Sequence, residues 1–292
     1  MKELLSRALA LAAALFQREA LVWDGTCTTG IHMIVARGST EAPGLGRIGV
    51  VARNASLLIP NSSIAAVDYP ATFENYFTSY ENGASEFERL VLEHVKVCPD
   101  AKIALLGYSQ GAHAMMDAVC GDRDDGFFVS PDFREALGSQ VVAIVGFGDP
   151  SFNASAPWSV GTSTSAGLFA RHNITTCEPY AARIRSWCDD GDVYCSLGNL
   201  TTVHGSYFDN YTLDAAEFIV KRFNSSEPTT TTAPPTGTTT QPGTETADET
   251  TTETNAETTT ANTPGSGAGS FSPSWITILS MAGSMMVWTE LL

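Results

Sequence analysis

The sequence predicts an α/β fold in which helices cover both faces of a mainly parallel sheet. Two observations support this prediction. Short apolar runs of strand length alternate with segments whose apolar residues recur at helical spacing. One such run continues into a helical pattern through Gly107–Gly111, where a serine lies between two glycines. A serine in this kind of strand-to-helix turn is lifted out of the sheet, so the stretch also indicates a nucleophile.

Five segments are predicted to form the strands of the sheet. Each is a short apolar run bounded by turn-forming residues, which is the pattern of strands buried on both faces. In chain order the predicted strands are Ile31–Ala36, Ser63–Tyr69, Ile103–Leu106, Gln140–Phe147 and Ala182–Trp187.

Helices are predicted in the connections between these strands. Residues 48–58 have a helical pattern, a second helix ends before Pro99, and a third follows Ser109. The closing helix is predicted over Leu213–Phe223, with Thr212 as its N-cap. The sequence contains no internal repeat and leaves no room for a large lid domain.

The charge balance argues against nucleic acid as a partner. The chain of 292 residues carries 32 acidic and 16 basic residues, a net charge of −16. No lysine or arginine lies beyond Arg222, and the part of the chain before it is still acidic. Proteins that bind nucleic acid need a basic surface, which this composition does not provide.

Residues 1–20 are predicted to be a secretory signal peptide, followed by a folded domain over residues 21–225. Lys2 and Arg7 precede the apolar block Ala8–Phe16, which is too short to be a stable membrane anchor. All six cysteines lie after this segment, and an even number in a secreted chain indicates disulfides rather than metal ligands. Their pairing stays open from sequence, except that Cys188 and Cys195 are close enough to clamp a loop. No metal or cofactor is predicted.

Further patterns indicate the secretory pathway and a surface location. Residues 226–270 have the composition of a disordered, O-glycosylated stalk. The hydrophobic tail over residues 271–292 follows small residues, as in a GPI-attachment signal, with attachment at Ser266 or Gly267; a tail anchor is the alternative. The protein is therefore expected at the cell surface or cell wall. Seven N-glycosylation sequons begin at Asn54, Asn61, Asn153, Asn173, Asn199, Asn210 and Asn224.

Ser109 needs a base within hydrogen-bond reach and an acid that orients the base. In a sheet of this class both follow the serine on loops at the carboxyl ends of strands, the acid first. His204 lies in the predicted loop between the last strand and the last helix, so we favour it as the base. His113, on the serine's own helix with Asp117 as its neighbour, is an alternative. The remaining histidines are His32 and His94, which are predicted to be structural, and His172.

The orienting acid is expected after the last strand, in the interval between Cys188 and Cys195. Asp192 is favoured because it follows a glycine and because a disulfide across the interval would hold its carboxylate in place. Asp149, at the end of the preceding strand, is the runner-up. The other two aspartates in the interval, Asp189 and Asp190, are predicted to be solvated.

Several stretches together resemble the cutinase and acetylxylan esterase family of secreted serine esterases. The resemblance covers Cys27 to Phe223 and rests on IHMIVARGSTEAPGLG, VDYPA, KIALLGYSQGAHAMMDAVCG, VVAIVGFGDP, RIRSWCDDGDVYC and the histidine before the closing helix. It implies a small α/β-hydrolase with a five-stranded parallel sheet and an open site.

The resemblance also implies roles for individual residues. It makes Ser109 the nucleophile, Asp192 the acid and His204 the base, and it assigns the oxyanion hole to Ser39 and Gln110. It implies the disulfide pairs Cys27–Cys98, Cys120–Cys177 and Cys188–Cys195.

The expected activity is ester hydrolysis by a monomer, on acetylated polysaccharide or on cutin-like and other short-chain esters. Val67–Ala71 and Asp192–Cys195 look more like the acetylxylan esterase branch. That branch often carries extra cysteines after the first of these segments, and this chain has none there. The alternative function is a non-catalytic surface adhesin that displays the same fold. A serine peptidase is a weaker third possibility, since nothing in the sequence indicates a peptide-specificity pocket.

Overall fold

The computed structural model describes residue 23, residues 25–121 and residues 129–226. The predicted signal peptide, most of the stalk, the hydrophobic tail and the attachment candidates Ser266 and Gly267 lie outside the described residues. Within these ranges, no helix combines the length and the apolar character that a membrane span requires.

The described residues form one parallel sheet with the strand order β2-β1-β3-β4-β6-β5, and helices pack on both of its faces. This confirms the predicted fold class, but the sheet has six strands rather than five. The additional strand has only two residues, too few to show a hydrophobic period. The strands are β1 (Ile31–Ala36), β2 (Ser63–Ala66), β3 (Lys102–Tyr108), β4 (Val141–Phe147), β5 (Ser159–Val160) and β6 (Ile184–Trp187).

Six α-helices connect and follow these strands in the described part of the chain. The closing helix begins at Thr212, but its hydroxyl donates to the carbonyl of Phe208 instead of capping the helix, so the predicted N-cap is wrong. The helix that contains His204 was predicted as a loop. The helices are α1 (Gly49–Leu58), α2 (Tyr76–Val97), α3 (Gln110–Cys120), α4 (Pro131–Ser139), α5 (Thr201–Asn210) and α6 (Thr212–Ser225).

Each face of the sheet has its own hydrophobic core. Along β3, Ile103 and Leu105 pack on the face covered by α2, α3 and α4, whereas Ala104 and Leu106 pack on the face covered by α1 and α6. Burial on both faces explains why these strands are continuous apolar runs.

Three disulfides, between the pairs that the resemblance implies, tie the chain together. Cys27–Cys98 and Cys120–Cys177 close long segments, and Cys188–Cys195 closes the short loop that contains Asp192. The sequon asparagines are exposed, except that Asn54 and Asn153 are partly buried. The Asn153 amide nitrogen also donates to the carbonyl of Arg171 at 2.8 Å.

His32 lies in β1 and His94 lies near the end of α2, and both are in the interior. Their rings stack with centroids 3.8 Å apart and planes 3° from parallel, and both side chains are almost fully buried. Burial, together with the neighbouring His94, lowers the pKa of His32 to about 3. Burial also lowers the pKa of His94 to about 4. These contacts agree with a structural role for the two histidines.

Candidate active site

Ser109 connects the end of β3 to the start of α3 in a strained backbone conformation, with φ 54° and ψ −121°. The two flanking glycines make this turn possible. A Cβ at Gly107 would lie 2.5 Å from the carbonyl oxygen of Gly111, and a Cβ at Gly111 would collide with the carbonyls of Ala36 and Arg37. The G-x-S-x-G spacing is therefore a steric requirement of the turn.

The structure brings Ser109, His204 and Asp192 into one hydrogen-bonded chain. Ser109 Oγ lies 2.9 Å from His204 Nε2, and His204 Nδ1 lies 2.8 Å from Asp192 Oδ2. All three side chains are buried, Asp192 completely and the other two with 7% of their surface exposed. Because the aspartate accepts from Nδ1, the other ring nitrogen is left to accept the serine hydroxyl hydrogen.

The other candidate acids and bases have different partners. The Asp149 carboxylate accepts hydrogen bonds from the backbone and side chain of Ser151, and burial raises its pKa. Asp189 is buried and accepts from Thr162, so its predicted solvation is wrong, whereas Asp190 is exposed as predicted. On α3, His113 Nδ1 lies 3.0 Å from the phenol of Tyr76, and the ring packs between Tyr80 and Phe169.

Asp192 is held by four hydrogen bonds. One carboxylate oxygen, Oδ1, accepts the backbone N–H groups of Tyr194 at 2.7 Å and Cys195 at 3.1 Å. The other, Oδ2, accepts His204 at 2.8 Å and the phenol of Tyr207 at 2.6 Å. Burial acts to raise the pKa of Asp192, but the hydrogen bonds from His204, Tyr207 and Tyr194 outweigh it and hold the pKa below its usual value. The carboxylate is thus ionised and fixed in orientation.

His204 lies on the first turn of α5, which is fastened to the rest of the domain. The Tyr108 phenol donates to the backbone carbonyl of His204 at 3.0 Å, and its ring stacks on the imidazole with centroids 5.1 Å apart. Arg47 donates to the carbonyl of the next residue, Gly205, at 2.7 Å. The loop predicted around His204 is therefore wrong, because these tertiary contacts hold the base on a helix.

The two residues assigned to the oxyanion hole follow two strands that are neighbours in the sheet. Gln110 is the first residue of α3, so its backbone N–H is at the helix end where anions are favoured. Its side chain is fixed, since it accepts from Ser79 at 3.0 Å and donates to the carbonyl of Thr72 at 2.9 Å. Ser39 follows β1, which pairs with β3, and its hydroxyl is buried with no hydrogen-bond partner among the described residues.

A buried arginine organises the loop that carries Ser39. The Arg37 guanidinium donates to the carbonyl oxygens of Glu41 at 3.0 Å and Tyr69 at 2.5 Å. The Glu41 carboxylate in turn accepts the N–H groups of Gly38 at 2.7 Å and Arg47 at 3.1 Å. Sequence reasoning missed this support because the partners of Arg37 lie as far away as Tyr69.

An apolar wall lies beside the imidazole. The ring of Tyr194 contacts His204 edge-on with centroids 4.5 Å apart, and the ring of Phe73 stacks on Tyr194 at 6.4 Å. Phe73 is 54% exposed and Leu168 is 47% exposed. The backbone N–H of Leu168 donates to the carbonyl of Tyr194.

The donor set of the site is that of an acyl-transfer centre. Among the described residues, no group of three or more His, Cys, Asp or Glu side chains could hold a metal ion. A buried serine, a base bonded to it, an acid bonded to the base and a helix N-terminus are the groups that nucleophilic acyl transfer requires.

Comparisons with known proteins agree with this assignment of the fold. A family model described as Cutinase matches residues 27–223. Cutinase 11 of Verticillium dahliae is 34% identical over 239 residues, which are 78% of this chain and 78% of that protein. Acetylxylan esterase 2 of Talaromyces purpureogenus is 32% identical over 221 residues, which are 72% of this chain and 94% of that protein.

Solved structures give the same result. The catalytic core domain of acetyl xylan esterase from Trichoderma reesei matches with a TM-score of 0.62 and 31% identity, over 68% of this chain and 100% of that chain. A cutinase-like protein from Cryptococcus sp. matches with a TM-score of 0.56 at 17% identity, which supports the fold alone. The residues matched by the family model include Ser109, Asp192, His204 and every strand described above.

Proposed function

Because the chain belongs to the cutinase family of serine carboxylic ester hydrolases, we propose that it cleaves esters through an acyl-enzyme on Ser109. The observation that carries this proposal is the continuous hydrogen-bonded chain from Ser109 through His204 to Asp192. A serine hydroxyl is a weak nucleophile, and this chain supplies the base and the orienting acid that activate it.

In the first half-reaction, Ser109 Oγ attacks the carbonyl carbon of the ester while His204 Nε2 takes the hydroxyl proton. The carbonyl oxygen becomes an oxyanion, and Asp192 stabilises the imidazolium that forms. The intermediate then collapses, the bond to the alcohol oxygen breaks, and His204 gives its proton to that oxygen. A water molecule repeats the sequence on the acyl-enzyme and releases the carboxylic acid.

The oxyanion is held by the backbone N–H groups of Gln110 and Ser39. The N-terminal position of Gln110 on α3 and the hydrogen bonds that fix its side chain support this role. The Ser39 hydroxyl is available as a further donor, since it is buried without a partner in the described part of the chain. Ser39→Ala should therefore lower kcat, by up to about 10²–10³-fold if the hydroxyl is a full oxyanion donor.

The proposed substrates are esters of short acyl groups, with acetylated polysaccharide first and cutin-like esters second. The whole acetyl xylan esterase core domain matches 68% of this chain at 31% identity, which supports the first class. The identity of 34% to Cutinase 11 supports the second class. The wall formed by Tyr194 and Phe73 suits an uncharged group of either substrate.

We also propose how the protein is processed and where it is located. Residues 1–20 act as a signal peptide, residues 21–225 are the monomeric enzyme, and residues 226–270 are a glycosylated stalk. The chain that follows Ser266 or Gly267, including the hydrophobic tail 271–292, is exchanged for a GPI anchor at that residue, which places the enzyme at the cell surface. The three disulfides are those of a protein that folds in an oxidising compartment.

The experiment that tests the function compares the wild-type protein with Ser109→Ala on p-nitrophenyl esters from acetate to palmitate. We expect Ser109-dependent turnover that is fastest on acetate, which supports a polysaccharide deacetylase. A maximum at butyrate or longer chains supports a cutinase-type activity. A folded protein without Ser109-dependent turnover on any ester would contradict the proposal and favour the surface adhesin.

A further inference from the structure

Two side chains of one helix donate hydrogen bonds to the same oxygen of Asp192. On α5, Tyr207 follows His204 by three residues, a spacing that puts both side chains on one face of the helix. The phenol lies 2.6 Å from Asp192 Oδ2, and the imidazole Nδ1 lies 2.8 Å from the same atom. The two donors therefore share the charge of one carboxylate oxygen.

The orientation of the Tyr207 phenol is fixed by its other neighbours. Its oxygen accepts the backbone N–H of Asp189 at 3.1 Å. The Cys195 sulfur lies 3.2 Å away, but it is part of a disulfide and has no hydrogen to donate. The phenolic hydrogen is therefore committed to Asp192. Tyr207 is fully buried, so water does not compete for this bond.

We propose that Tyr207 is a positioning residue that shares the charge of Asp192 with His204 and so tunes the pH dependence of the reaction. The proposal rests on the function proposed above, in which His204 is the base and Asp192 its orienting acid. Tyr207 does not touch the serine or the reacting atoms, and it acts only through the aspartate.

Other titratable and charged groups surround His204 and Tyr207 from several elements, but their side chains do not donate to Asp192 Oδ2. From β3, the Tyr108 phenol donates to the backbone of His204, and from the Asp192 loop the Tyr194 ring contacts the imidazole by its edge. Asp189 faces the far side of the Tyr207 phenol. Arg47 donates to the carbonyl of Gly205, and both Arg47 and Glu41 act electrostatically on Tyr108. Among the described residues, the side-chain donors to Asp192 Oδ2 are His204 and Tyr207.

Tyr207→Phe removes the phenol oxygen and keeps the ring. Without the second donor, the charge on Asp192 Oδ2 acts on His204 alone, which strengthens the attraction between Asp192 and the imidazolium that forms in the reaction. A hydrogen bond to a charged group is worth about tenfold to a hundredfold in an equilibrium constant, of which only a part is passed on through Asp192. We expect the acidic limb of the kcat/KM profile to move up by about half a pH unit.

The same variant, Tyr207→Phe, should change kcat but not KM. Since Tyr207 contacts no substrate, KM should stay unchanged while kcat at neutral pH falls by about tenfold, a fraction of what a positioned base contributes. The backbone donors Tyr194 and Cys195 still hold the other carboxylate oxygen, which limits the loss.

Tyr211→Phe is the matched control. Tyr211 lies one turn after Tyr207, and its phenol donates to Asp189 Oδ1 at 2.8 Å instead of to Asp192. The substitution removes the same atom from a neighbouring ring without changing the donors to Asp192. We expect its pH profile to coincide with that of the wild-type protein.

Replacement of Tyr207 by 3-fluorotyrosine tests the proposal while keeping the phenol oxygen and its hydrogen bond. The fluorinated phenol is more acidic and a stronger donor, so it should draw more charge from Asp192 and move the acidic limb to lower pH. This arm decides the matter if Tyr207→Phe does not fold.

Both arms can overturn the proposal. A profile of Tyr207→Phe that coincides with the wild-type profile, or an equal shift in Tyr211→Phe, contradicts it while Ser109-dependent turnover leaves the proposed function intact. A fluorotyrosine shift to higher pH contradicts it as well. If Ser109→Ala retains full ester turnover, the proposed function fails first and the role of Tyr207 fails with it.

Discussion

Removal of the short disulfide Cys188–Cys195 should affect kcat more than it affects the thermal stability of the domain. This disulfide closes the loop that carries Asp192, and the backbone N–H of Cys195 is itself a donor to the carboxylate. The disulfide Cys27–Cys98 provides a matched comparison. It joins the segment before β1 to the end of α2, at the amino-terminal edge of the sheet and opposite the serine turn.

The two bridges differ in the stability that they contribute. Cys188–Cys195 spans a separation of 7 residues, whereas Cys27–Cys98 spans 71. The loop-closure entropy removed from the unfolded chain then corresponds to about 2.4 kcal/mol for the short loop and about 4.4 kcal/mol for the long one. For a domain of this size these values predict losses in Tm of about 5–10 °C and about 9–18 °C, respectively.

The assay measures thermal unfolding and p-nitrophenyl acetate hydrolysis, at a temperature where both double-alanine variants are folded. Removal of Cys188–Cys195 should lower kcat by about 10-fold to 100-fold, because a displacement of the acid by about 1 Å disturbs the base. Removal of Cys27–Cys98 should leave kcat unchanged despite the larger loss in Tm. If kcat falls in proportion to Tm in both variants, or if the short bridge is dispensable for kcat, the argument for preorganisation is refuted.

Three further predictions follow from the geometry. Gly107→Ala should destabilise the domain by about 3 kcal/mol in chemical denaturation, because its Cβ would lie 2.5 Å from a backbone carbonyl oxygen. Gly138→Ala, whose Cβ would meet no atom within 4 Å, should not, and equal losses would show that the turn is not the cause. Asp192→Asn should lower kcat by about 10⁴-fold with little change in KM, since the amide favours the wrong imidazole tautomer; a loss below tenfold contradicts the assigned acid. The pKa values of His32 and His94, about 3 and about 4, lie below the unfolded value of about 6.5, so the unfolded chain binds more protons in between. Stability should therefore be full above pH 6.5 and fall as the pH drops towards 3. His94→Phe, which keeps a stacked ring, should flatten the plot of Tm against pH, and an unchanged slope would show that His94 does not titrate in this way.

The central strands and the serine turn could be predicted because their signals are local. The first strand matches its predicted bounds, Ile31–Ala36, and the turn at Ser109 is marked by the five-residue spacing of serine and glycines. The choice of His204 and Asp192 used the chain order that parallel sheets impose on loops, which is again readable without tertiary contacts.

The elements that were missed depend on contacts between distant residues. Helix α5 has no strong hydrophobic period and contains Gly205, so its sequence resembles a loop. Tertiary bonds from Tyr108 and Arg47 to its first turn hold it in helical form. The supporting roles of Tyr207 and Arg37 could not be predicted for the same reason. A buried phenol or guanidinium has no sequence signal until its acceptors are known.

The energetic cost of the site supports an enzyme rather than a display scaffold. The positive φ of Ser109 costs about 1–3 kcal/mol, and a buried hydroxyl without a partner, such as that of Ser39, costs a similar amount. Asp192 is a fully buried carboxylate that needs four donors to stay ionised. An adhesin could replace each of these with a relaxed or apolar residue and gain stability. Strain, an unpaired donor and a buried charge at one edge of the sheet are useful together only where charge develops during a reaction.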